Sequence, residues 1–120
     1  MSKTILVVDD SASIRKVVGM TLRDQGYSVI EATDGQDGLE KLSTSRIHLI
    51  ISDVNMPRMD GISFVKEVKS NPTTKFTPIL MLTTESGASK KEEGRAAGAK
   101  AWLVKPFQPA VLLSAVSRLA

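Results

Sequence analysis

The chain contains no cysteine, which excludes a disulfide framework and thiolate metal ligands and suits a reducing cytoplasm. Aromatic residues are scarce, at 1 Trp, 1 Tyr and 3 Phe. Basic residues are spread along the chain, few rings are available to stack on bases, and no reading motif is present. The formal net charge of +3 therefore describes a mildly basic solvated surface with no direct nucleic-acid partner. The single histidine, His48, falls inside an apolar run, where a structural role is expected. No apolar run approaches the roughly 20 residues of a membrane helix. Met1 to Val8 passes straight into a strand pattern without a signal-peptide cleavage site. A soluble cytoplasmic protein with no membrane partner is expected. Linkers, repeats and low-complexity stretches are also missing, so the chain reads as one domain, residues 1–120. Its 42% hydrophobic content suffices for a core without a metal or disulfide staple.

What is present is an alternation of short apolar runs and helical patterns. Ile5 to Val8 is a continuous run of the kind found in a strand buried on both faces. Ile14, Val17, Val18 and Leu22 recur at helical spacing, and Gly26 stops that helix. Tyr27 to Ala32 alternates as a second strand, and Leu39 and Leu42 mark a short helix. Ile47 to Ile51 is a third strand, followed by a helix built on Ile62, Val65 and Val68. Pro78 to Leu82 is a fourth strand. Glu85 to Ala97 makes a poor helix, with Gly87 and Gly94 inside and only alanines to bury. Ala101 to Val104 is a fifth strand, and Pro109 opens a last helix carrying Val111, Leu112, Ala115, Val116 and Leu119. Alternating units of this kind give an α/β fold with a parallel sheet. Right-handed crossovers favour the flavodoxin-like (βα)5 three-layer sandwich with sheet order 2-1-3-4-5. Ligands in such sheets bind beyond the carboxyl ends of the strands, where the order reverses between the first and third.

The polar residues at those strand ends form a chemical set. Asp9 and Asp10 follow the first strand, Asp53 the third, Thr83 and Thr84 the fourth, and Lys105 and Pro106 the fifth. Singly, each has an ordinary explanation: a helix cap, a turn residue, a strand-end cap, a solvated lysine. Together at one edge they do not, because a like-charge pair at about 4 Å costs about 4 kcal/mol at an effective dielectric near 20. Lys105 offsets part of that repulsion. Hard carboxylate oxygens without His or Cys nearby favour Mg2+ for the rest. A metal, a lysine and a hydroxyl are the equipment of phosphoryl transfer, and a carboxylate can be the nucleophile. Asp53 is the best candidate, alone at its strand end with Asn55, Met56 and Pro57 shaping the following loop. Asp9 and Asp10 are placed to hold the metal, Asp10 ahead of Asp9 as a direct ligand. Asn55 can add its backbone carbonyl, while Thr83 and Lys105 can bind phosphoryl oxygens.

With Ile5 to Asp10, Ile50 to Pro57, Met59 to Gly61, Leu82 to Thr84 and Leu103 to Phe107, the whole chain resembles the receiver domain of bacterial two-component response regulators. Within that family it looks most like the stand-alone chemotaxis regulators of the CheY type. The resemblance implies that a histidine kinase of the CheA type phosphorylates Asp53. The domain would be a regulator that catalyses only its own phosphorylation and dephosphorylation, with magnesium as cofactor. It also implies a cis Lys105–Pro106 bond. On phosphorylation Thr83 would move toward the phosphate and the aromatic of the fifth strand would turn inward. That change would remodel the face made by the fourth helix, fifth strand and fifth helix for a target such as a flagellar switch component, with a phosphatase as a further partner. The family usually has Tyr or Phe at the switching position, whereas here it is Trp102. Lys90, Lys91, Arg95 and Lys100 accompany Trp102 on that expected output face. Two other signalling roles fit the same residues, a phosphate sink or relay intermediate and a regulator of pili or gliding. A small phosphatase of the haloacid-dehalogenase type fits less well, because its general acid would stand where Asn55 is.

Overall fold

Apolar residues in unbroken runs can be buried only if layers cover both faces of the sheet they form. The computed structural model shows that arrangement for the residues it describes, which are 3–54, 56, 59–83 and 88–120, with the backbone alone for 88–91. The strands are β1 (Thr4–Val8), β2 (Ser28–Ala32), β3 (Leu49–Asp53), β4 (Ile79–Thr83) and β5 (Ala101–Val104). They alternate with α1 (Ala12–Asp24), α2 (Gly35–Thr44), α3 (Gly61–Ser70), α4 (Ala88–Ala97) and α5 (Pro109–Leu119). All strand pairs are parallel, in the order β2-β1-β3-β4-β5. This is the flavodoxin-like topology expected from the sequence.

Alternate residues of the central strands feed two cores. Leu6, Val8, Ile50 and Met81 meet Ile62, Val65 and Val68 of α3. Ile5, Val7, Leu49, Ile51, Leu80 and Leu82 meet Val18 and Leu22 of α1 and Leu112 and Val116 of α5. Each fully buried aliphatic side chain contributes about 1.5–3 kcal/mol relative to exposure.

Caps set where the helices begin. The Ile14 amide donates to the Ser11 hydroxyl at 3.3 Å, the Asp37 amide to Asp34 at 2.9 Å and the Ser63 amide to Asp60 at 2.8 Å. Ser11, rather than Asp9 or Asp10, is thus the cap of α1. At the other end, Gly26 with φ +90° lets the chain turn out of α1 toward β2.

Two inward assignments fail. Val17 and Val111 are 54% and 47% exposed, because each lies about 100° around the helix from the buried Val18 or Leu112. The third strand also begins two residues later than its apolar run. His48 joins the entry instead: its amide donates to the Thr4 carbonyl at 2.8 Å and its Nδ1 accepts the Thr4 amide at 3.0 Å. At its other end β3 runs through to Asp53 itself.

Candidate functional site at the carboxyl edge of the sheet

The parallel register brings the polar strand ends together. Val8 pairs with Ser52, Asp53 with Leu82 and Thr83 with Val104, so Asp9, Asp53, Thr83 and Lys105 reach the same edge. Asp9 and Asp53 are 1% and 7% exposed, Thr83 is wholly buried, and Asp10 stands at the surface. One carboxylate oxygen from each of Asp9, Asp10 and Asp53 lies within 4.8 Å of the others. Octahedral magnesium holds oxygens at about 2.0–2.1 Å, so opposite ligands sit about 4.2 Å apart. Adjacent ligands sit about 2.9 Å apart, so the three carboxylates are gathered closely enough to share one such ion, directly or through the waters magnesium keeps.

The Lys105 ammonium, whose side chain is 11% exposed, bridges two of these acids, at 2.8 Å from Asp9 Oδ2 and 3.4 Å from Asp53 Oδ1. The same Asp53 oxygen accepts the Val54 amide at 2.8 Å. Burial, and then the charge of Asp9, hold the Asp53 carboxyl above the ordinary carboxylate range, against the opposing pull of Lys105 and the Val54 amide. A divalent cation would oppose that rise by stabilising the ionised carboxylate. On the other side, Asp9 Oδ1 accepts the Ser11 amide at 2.9 Å.

The surrounding main chain is tightly fixed. The Gly61 amide donates to the Val54 carbonyl at 2.7 Å, and a Cβ on Gly61 would collide with the Asp53 carbonyl oxygen. Only glycine lets α3 start this close to the end of β3. The Lys105 amide donates to the Thr83 carbonyl at 2.6 Å, and the Lys105–Pro106 peptide bond is cis. Asn55, Pro57 and Thr84 lie outside the described residues, as do the side chains of Lys90 and Lys91.

Trp102 is half-buried on the α4 side of the sheet and, like Ala97, packs against the core that includes Ile62. An ideal Cβ on Gly94 would stand 2.5 Å from Trp102 Cζ3, so the indole ring lies directly on that glycine. Sequence reasoning assigned Gly94 only a weakening of α4. It also overlooked Gly61 as a spacing device, although the Met59 to Gly61 motif was in view. Arg15 was missed altogether; its guanidinium Nη1 donates to the Asp9 carbonyl at 2.6 Å.

An acidic triad partly offset by one lysine, at the switch point of a 2-1-3-4-5 sheet, defines a phosphoacceptor class of α/β domain. The chain belongs to the response regulator receiver domain family, whose model matches residues 5–117. It is 38% identical to protein PilG of Pseudomonas aeruginosa over 112 residues, covering 93% of this chain and 83% of that one. Its structure matches that of chemotaxis protein CheY4 of Vibrio cholerae with a TM-score of 0.96 and 52% identity, each chain being covered in full. A third structure is the receiver domain of the sensor histidine kinase PA1611 from Pseudomonas aeruginosa, which has a magnesium ion coordinated in its active site cleft. That match has a TM-score of 0.91 and 28% identity, and it covers 99% of this chain and 98% of that one. The protein is a CheY-like response regulator of regulatory function, in a family that works with histidine kinases and downstream targets. Among the described residues, no helix is long and apolar enough to cross a membrane.

Proposed function

We propose that Asp53 is the phosphoacceptor of this receiver domain, and that Asp9, Asp10, Asp53 and the Asn55 backbone carbonyl hold the magnesium ion. The observation that carries this reading is the Lys105 ammonium set between Asp9 and Asp53 beside a third carboxylate. A carboxylate oxygen of Asp53 attacks the phosphorus of a phosphohistidine. The phosphorus–nitrogen bond breaks, the imidazole leaves with a proton from solvent, and an acyl phosphate remains. When bound, magnesium supplies positive charge to the phosphoryl oxygens. Lys105 exchanges its contact with Asp53 for one with the phosphoryl group, and Thr83 donates its hydroxyl to another oxygen. Water later hydrolyses the acyl phosphate in the same site.

The likeness to a chemotaxis protein supports a role in chemotaxis or motility in the cytoplasm, with a CheA-like kinase as donor. The output face is α4-β5-α5, read through Trp102, and its target is a protein such as a flagellar switch component. A phosphatase that shortens the signal is a further partner. Treatment with a small acyl phosphate and magnesium should add a single phosphate by mass, and the Asp53→Asn variant should lose it. Persistent magnesium-dependent labelling of that variant would refute the assignment.

A further inference from the structure

We propose that Arg15 is a positioning residue for the metal site, holding the Asp9–Asp10 loop through the Asp9 main chain, with Glu31 as its anchor. The inference rests on the magnesium reading above and concerns what keeps the carboxylates in place. Asp10 stands at the surface, so where its carboxylate points depends on the main chain between β1 and α1.

That main chain is held from both sides. The Asp9 amide donates to the Ala32 carbonyl at 3.1 Å, and the Asp9 carbonyl accepts Arg15 Nη1 at 2.6 Å. A bond from a charged donor is the stronger kind. Arg15 lies on the first turn of α1, where its amide donates to the Ser11 carbonyl at 3.0 Å, and its side chain folds back over the loop. There it is 15% exposed, and Nε sits 3.4 Å from Glu31 Oε1. Glu31 also meets Arg23 Nη2 at 3.4 Å. Glu31 and Ala32 are neighbours on β2, so this edge strand holds Asp9 twice, directly by Ala32 and through Arg15 by Glu31.

Charge alone would give the opposite effect. A guanidinium near three carboxylates should repel a metal cation, so removing it should tighten magnesium binding. Glu31, shared between Arg15 and Arg23, cancels only part of that field, and on this proposal the geometric effect outweighs what is left. The two explanations therefore differ in sign.

The test is calorimetric titration of the full chain with magnesium at neutral pH, alongside urea unfolding in EDTA. Groups that orient metal ligands typically change affinity about 10–100-fold when lost. Arg15→Met should weaken binding about tenfold, at the low end of that range, because its contact is to the main chain. Arg15→Lys and Glu31→Gln should weaken it less, and the double variant Arg15→Met/Glu31→Gln should be no worse than Arg15→Met. Leu39→Ala, in the opposite core, serves as a control that lowers stability without changing magnesium affinity. Unchanged or tighter binding in Arg15→Met overturns the proposal, as does equal weakening in Leu39→Ala. If Arg15→Met does not fold, Arg15→Lys decides, because it keeps the charge and loses the guanidinium geometry: weaker binding supports the proposal and unchanged binding overturns it. Should the unaltered protein bind no magnesium, the metal reading itself falls and takes this one with it. Binding by the unaltered protein and by Arg15→Met alike removes only the role of Arg15.

Discussion

Replacing Gly94 by alanine tests how Trp102 is seated. Glycine inside a helix is about 1 kcal/mol less favourable than alanine, so the substitution should stabilise α4 if nothing opposes the new methyl. Here the new Cβ would stand 2.5 Å from Trp102 Cζ3, 3.2 Å from Cε3 and 3.5 Å from Ile62 Cδ1. Overpacking of this kind costs about 1–3 kcal/mol. The expected net change in Gly94→Ala is therefore a loss of about 0–2 kcal/mol, taken up by the ring moving toward solvent. Trp102 is the sole tryptophan, so its emission should shift to the red without ambiguity of origin. Urea unfolding should show the loss of stability. In a Trp102→Val background, where the side chain ends before reaching Gly94, the sign should reverse and Gly94→Ala should stabilise. Stabilisation by about 1 kcal/mol in the unaltered background, with unchanged emission, would refute the seating of the ring on Gly94.

Further predictions concern the acidic edge. Asp53 has a raised pKa, so in EDTA its ionisation should lower stability as pH rises from the ordinary carboxylate range through its folded value. Asp53→Asn should accordingly raise the melting temperature at neutral pH, with the gain shrinking under acid and on adding magnesium, as followed by differential scanning fluorimetry. Lys105→Met removes the cation between two buried acids and should cost about 3 kcal/mol in EDTA by urea unfolding, with magnesium restoring part of it. Thr83→Ala should leave phosphorylation by a small acyl phosphate largely intact while weakening the Trp102 emission response to it. Equal losses in both would place Thr83 in the chemistry itself.

How much was legible in advance follows from what carries each feature. Ile5 to Val8 and Pro78 to Leu82 announced buried strands because residues covered on both faces must be apolar throughout. Once the strand order was known, Asp9, Asp53, Thr83 and Lys105 had to share an edge, since parallel strands place all carboxyl ends together. Val17 and Val111 misled because a broad apolar stripe reads as inward while only its centre is covered. His48 blurred the start of β3, where an apolar run extends past the point at which strand pairing begins. Arg15 and Gly94 were out of reach for a different reason. Their roles depend on contacts with the main chain of Asp9 and the ring of Trp102, and neither residue type signals such a partner in advance.

The most direct measurement of the central claim is chemical trapping of the phosphorylated residue. Treating the phosphorylated protein with borohydride reduces an aspartyl phosphate to homoserine, and tandem mass spectrometry of the digest then locates the altered residue. The expected result is conversion at Asp53 alone, dependent on magnesium during phosphorylation. Conversion at Asp9 or Asp10, or a phosphate resistant to borohydride and carried on a hydroxyl side chain, would contradict the assignment.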